Sequence, residues 1–101
     1  MQKGLTNLFA KVLSQFKECI RENRYIVTLH GEEEIDEDEL SIFDVERAVL
    51  TGVIIERQKD SEKGEWKYII RGQAIDTSMI AIVTKLSPTN KMVIITVYRD
   101  E

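Results

Sequence analysis

The sequence predicts an α+β fold, with helices first and a single sheet after them. Up to about residue 51 the apolar positions recur at helical spacing, and from Val53 onward the period changes to two. The links between successive strands are short and turn-like, which favours an antiparallel meander over parallel crossovers. Helices that precede strands in this way cover one face of the sheet.

Leu5, Leu8, Phe9, Val12, Leu13, Phe16 and Ile20 define an apolar stripe, with Lys11, Lys17 and Arg21 largely off it. This spacing predicts a leading helix over about 5–22. Tyr25–His30 turns to β-branched and aromatic residues, the mark of a short strand or extended entry with His30 at its end. Ser41 followed by Asp44 forms a capping pair, Ile42, Val45, Val49 and Leu50 supply an apolar face, and Gly52 stands where a helix would stop. A second helix over about 42–51 follows. Val53–Gln58, Glu65–Ile75, Met79–Leu86 and Met92–Arg99 then read as four strands, joined through Asp60–Gly64, Asp76–Ser78 and Ser87–Asn90.

With 101 residues, 43% of them hydrophobic, the chain 1–101 is expected to form one domain. No apolar run approaches the roughly 20 residues of a membrane helix, so no membrane partner is expected. The polar residues within 5–16 argue against a signal peptide, and a cytoplasmic location is the expectation. A lone Cys19 excludes an internal disulfide and, with a lone His30, excludes a structural zinc site; no metal and no cofactor is expected. Cys19 reads as a small buried hydrophobe and Trp66 as core.

The formal net charge is −4, but its distribution matters more. Residues 32–39 hold seven carboxylates and no base, which leaves +3 on the other 93 residues. Such a run is a solvated face or loop, a metal-binding segment, or a screen over a basic site. For the second of these it lacks the glycine of an EF-hand turn.

Register sharpens the picture of the sheet. A three-residue Asp76–Ser78 loop and a four-residue Ser87–Asn90 loop set Arg71 opposite Val83 and Ile94, and Gln73 opposite Ala81 and Thr96. Lys67, Arg71, Gln73, Lys85, Thr96 and Tyr98 then share one face. Trp66, Tyr68, Ile70, Ile80, Ile82, Val93, Ile95 and Val97 share the other, which should meet the helices. A face of cationic, amide and hydroxyl groups over an apolar floor suits phosphate. It is equally the composition of an ordinary solvated sheet face, in which Arg71 pairs with a carboxylate such as Glu56 and Tyr98 anchors the last strand.

Leu29-His30, Ile42–Gly52, Val53-Ile54-Ile55-Glu56, Tyr68-Ile69-Ile70-Arg71-Gly72 and Val93–Tyr98 occur here in the order found in an uncharacterised bacterial domain family. The resemblance spans about residues 25–99. Members of that family are often seen beside small MqsA-like (YgiT-type) zinc-finger antitoxins, and by analogy they stand near the RelE- and MqsR-like toxins. The resemblance implies two N-terminal helices on a curved antiparallel sheet of four or slightly more strands, RelE- or barnase-like. It implies a metal-independent endoribonuclease of a toxin–antitoxin pair, with RNA as substrate and a cognate zinc-finger antitoxin as partner. His30, Arg71 and Tyr98 would be the catalytic residues, and Lys67, Gln73, Lys85 and Thr96 would bind substrate. The chain departs from the family at Glu32–Glu39, where relatives carry a more basic or mixed segment. The alternative is a non-catalytic module that binds protein or RNA through the same sheet face.

In the nuclease reading the ribose 2′-OH attacks its neighbouring phosphate. That needs a base, an acid and cations around the phosphorane. Imidazole is the side chain that exchanges protons near neutral pH, which makes His30 the acid–base candidate.

Overall fold

A computed structural model describes residues 3–101, with side chains from Phe9 onward. Leu5 and Leu8 of the leading stripe therefore lie outside the described side chains. The elements in chain order are α1 (Lys3–Arg21), β1 (Tyr25–Val27), α2 (Leu29–Glu37), α3 (Ile42–Thr51), β2 (Val53–Lys59), β3 (Trp66–Gln73), β4 (Met79–Leu86) and β5 (Met92–Arg99). The sheet order is β1-β5-β4-β3-β2. The class is the expected α+β, with α1 and α3 on one sheet face.

A third helix goes beyond the expected two, and the short strand or extended entry expected at Tyr25–His30 is a three-residue strand whose pairing in the sheet is parallel. The acidic run folds into α2, and a fifth strand, β1, pairs in parallel with β5 through Tyr25↔Met92, Ile26↔Val93 and Val27↔Ile94. His30 consequently lies in the first turn of a helix, not at a strand end. Thr28 starts that helix: its backbone is extended, and its hydroxyl accepts from Gly31 N at 3.0 Å. The helix closes in a Schellman arrangement, with Leu40 N donating to Ile35 O and Glu39 in the left-handed region at φ 56°. Buried Gly31 and Ile35 turn inward, and of the carboxylates Glu34 turns toward β5 while Glu32, Glu33, Asp36 and Glu37 face outward. One apolar anchor per two turns was too sparse a pattern to read as helical.

α2 also resolves the edge of β5 where β1 ends. Val97 N donates to Glu34 Oε1 at 2.9 Å, Thr28 Oγ1 donates to Ile95 O at 3.1 Å, and Arg99 Nη2 donates to Asp38 O at 2.8 Å. Backbone groups that a neighbouring strand would satisfy are met by a helix instead.

α3 begins with a full capping box. Asp44 N bonds Ser41 Oγ, and Ser41 N bonds Asp44 Oδ2 at 2.8 Å. Burial alone would raise the Asp44 carboxyl, but hydrogen bonds from Ile75 N and from Ser41 outweigh it and hold the group below its ordinary value. Its contribution to stability is thus present above the unfolded value near 3.8 and is lost as pH falls through the lower folded value. Ser41→Ala should cost about 1 kcal/mol, read as a lowered urea midpoint with unchanged slope.

Phe16, Val45, Ala48, Val49, Ile70, Ile80, Ile82, Met92, Ile94 and Val97 form the fully buried centre of the core. Phe16 meets Tyr68 edge to face, with ring centroids 5.7 Å apart. The pairing of β3 with β4 is offset by two residues from expectation: Gln73 faces Met79 and Arg71 faces Ala81. Ala74 leaves the strand to be buried in the core, so the loop runs over 74–78. A shift of two keeps every side chain on its face.

Between β4 and β5 the first ladder runs Ala81↔Tyr98, Ile82↔Val97 and Val83↔Thr96, and then resumes at Thr84↔Ile94. Ile95 is the extra residue of a bulge, and the buried Thr84 hydroxyl donates to Val93 O beside it at 2.7 Å. This corrects the face assignment of the strand's first half. Met92 and Ile94 turn into the core, while Val93, paired with Lys85, does not. Trp66 is also not core: it is 39% exposed, with the Arg57 guanidinium carbon 4.0 Å from the ring centroid.

Candidate functional site

Ladder parity sets Lys67, Arg71 and Gln73 of β3, Lys85 of β4, and Thr96 and Tyr98 of β5 on the sheet face opposite the core that α1 and α3 cover. Ile69 and Ala81 are buried there and form an apolar floor beneath the longer side chains. Arg71, Ala81 and Tyr98 lie in one cross-strand row, so the Arg71 and Tyr98 backbones are roughly 10 Å apart. Gln73 lies beyond that row, where its own N–H bonds Thr51 Oγ1 at 3.1 Å.

The cations on this face are largely engaged. Arg71 Nε donates to Asp100 Oδ2 at 2.8 Å and its Nη2 to Asp100 O at 3.2 Å, so its partner is Asp100, not Glu56. Lys85 Nζ holds Glu65 Oε1 at 3.0 Å. Lys67 forms no ion pair among the described residues. The Arg71 pair is more than one-third exposed on both sides. Pairs of that kind are worth about 0–1 kcal/mol, so a phosphate with better geometry can displace the carboxylate.

His30 reaches this region from α2. Its Nε2 lies 3.3 Å from Glu34 Oε2, one helical turn on, and its side chain is 65% exposed. Glu34 is the hinge of the arrangement. One carboxylate oxygen holds the imidazole and the other accepts from Val97 N. Glu34 also lines, with Glu37, Asp38, Val97 and Tyr98, a groove of about 230 Å³ at the border between α2 and the open face. His30 stands beside Glu34, whose carboxylate lines the groove with Tyr98, while Arg71 stands across the sheet and Lys67 and Lys85 toward its far end. The role of Glu34 was hidden in the sequence among seven similar carboxylates. Its spacing of four from His30 was the one available signal.

Among the described residues, no three His, Cys, Asp or Glu side chains converge as metal ligands, and the carboxylates of α2 spread around the helix. Cys19 is buried, with Sγ 3.4 Å from Asn90 O. On the other flank of α2, Tyr25 donates its phenolic proton to Glu46 Oε2 at 2.6 Å. Burial, then that hydrogen bond, push the phenol from 10.0 to about 12. The folded value is the higher one, so the stabilisation is complete below the unfolded value near 10 and fades as pH rises toward 12. Tyr25→Phe should cost about 1 kcal/mol at neutral pH and should remove the phenol titrating near 12 from a spectrophotometric titration.

No curated protein and no solved structure matches the chain. Residues 27–99 do match a family model, that of a domain of unknown function, DUF4258. That match spans α2, α3 and the four strands after them, so the chain belongs to the DUF4258 family.

Proposed function

We propose that the protein is a metal-independent endoribonuclease acting at the groove shared by α2 and the open sheet face. The observation that carries this reading is the His30–Glu34 pair at 3.3 Å, whose carboxylate lines the same groove as Tyr98. Glu34 sets a carboxylate beside the imidazole, and a His30 ring nitrogen takes the proton of a ribose 2′-OH. The resulting alkoxide attacks the adjacent phosphorus and the bond to the 5′-oxygen breaks. Tyr98 protonates the leaving oxygen and is reprotonated from water. Products are a 2′,3′-cyclic phosphate and a 5′-hydroxyl. Arg71, released from Asp100, faces the phosphorane charge; Gln73, Thr96, Lys67 and Lys85 guide the flanking phosphates.

Incubation of pure protein with a mixed transcript pool in EDTA tests this. Cyclic-phosphate ends that vanish with His30→Ala support it; intact RNA at high protein concentration rejects it. A toxin-like nuclease needs a silencing partner, and the sequence resemblance supports a zinc-finger antitoxin encoded next to it. A small Cys-rich protein that co-purifies when both neighbouring frames are expressed would bear that out.

A second reading has its own support. Arg71 and Lys85 are both tied to carboxylates, and the groove beside Tyr98 is rimmed by Glu34, Glu37 and Asp38. Such a surface repels a polyanion and favours a protein-binding module. Inert RNA together with a retained protein partner is its signature.

A further inference from the structure

The opposite flank of α2 forms a second, larger groove, of about 490 Å³, between α2, α3 and β1. Its floor is apolar, from Tyr25, Val27, Ile35 and Ile42, and its rim carries Glu32 and Asp36 one helical turn apart. Among the described residues no base lines that rim, and α2 contains none besides His30. β1 is the edge strand of the sheet. Its pairing fixes which backbone groups face outward. Met92 N bonds Arg24 O and Thr28 N bonds Ile94 O, so alternate residues 24, 26 and 28 address β5. Tyr25 and Val27 therefore turn their N–H and C=O groups away from the sheet, toward the groove side.

We propose that this groove docks an extended segment of a partner protein in which Lys or Arg alternates with apolar residues, added as a further strand on β1. The alternation follows from the geometry. Side chains on the helix side of an added strand pass over Val27, Ile35 and Ile42 and end at Glu32 and Asp36. A lysine or arginine does both, laying its methylenes on the floor and its charge at the rim. The intervening side chains fall beside Ile26, which is half exposed on the other sheet face, and are apolar. The proposal is independent of RNA cleavage, because it concerns the flank of α2 that faces away from the Glu34 groove.

Amide-resolved NMR of the full chain tests it, with a synthetic peptide alternating Arg or Lys with Val, and a Glu–Val peptide as control. The basic peptide is expected to shift the amides of Tyr25–Val27, Ile35 and Ile42, less so as salt is raised. Glu32→Lys with Asp36→Lys, both at exposed positions, should weaken binding about tenfold or more. No shift at β1, equal response to the Glu–Val peptide, or affinity unchanged by the double reversal overturns the proposal. Concentration-dependent shifts at the same amides without peptide would give the groove to a second copy of the chain, and overturn it too.

Discussion

Gly72→Ala should destabilise the protein by about 3 kcal/mol or more, enough to leave a small domain largely unfolded on mild heating. A Cβ at that position would stand 1.9 Å from Ala48 O and 2.7 Å from its carbonyl carbon. These are backbone atoms of α3, which cannot swing aside as a flexible side chain would. Relief requires lifting the helix from β3, which would open the core around Val45, Val49 and Ile70. Gly52 approaches the same carbonyl from the end of α3, with Ala48 O 2.4 Å from its would-be Cβ. Gly64 provides the contrast. Its φ is +69° and nothing lies within 4 Å, so Gly64→Ala meets only the left-handed penalty of about 1 kcal/mol. Urea denaturation of the two variants should separate them clearly, and equal midpoints would refute the close-approach argument.

His30→Ala should reduce RNA cleavage by about a hundredfold or more, with the urea midpoint scarcely moved. The imidazole is mostly solvent-exposed, so its removal leaves no cavity. Glu34→Gln isolates the orienting role, because the amide oxygen can still accept from Val97 N while the charge beside the imidazole is gone. An intermediate loss, about tenfold, with a shifted pH–rate profile is expected. Arg71→Ala should lower activity at limiting substrate, whereas Asp100→Asn should raise it by freeing the guanidinium. Cleavage that persists in His30→Ala would leave the groove beside Tyr98 without a catalytic role.

Local pattern carried much of the architecture. Met79–Leu86 and Met92–Arg99 are strands over the expected spans, and α3 begins at the expected cap. Alternation put Arg71, Gln73, Thr96 and Tyr98 on one face despite wrong loop lengths. The β3–β4 register was off by two, which preserves sides, and the bulge at Ile95 restored parity for the end of β5. The same bulge reversed Met92 and Ile94, because no local feature of Val93-Ile94-Ile95 says which residue will be skipped. The partner and parallel sense of β1 were not legible, since the residues it pairs with lie 67 positions away. α2 escaped notice because its stability comes from Thr28, Ile35 and bonds to β5, not from an apolar stripe. With it went the position of His30, the residue on which the site reading most depends.

The parallel pairing of β1 with β5 has a consequence for biosynthesis. The meander β2–β5 zips through short turns, but the early segment bearing His30 has no seat until the last strand emerges from the ribosome. The segment bearing His30 and the strand bearing Tyr98 come together only after β5 has left the ribosome. In the proposed nuclease, the site would then be assembled only after β5 has been made, which leaves the growing chain inactive toward its own message until that point.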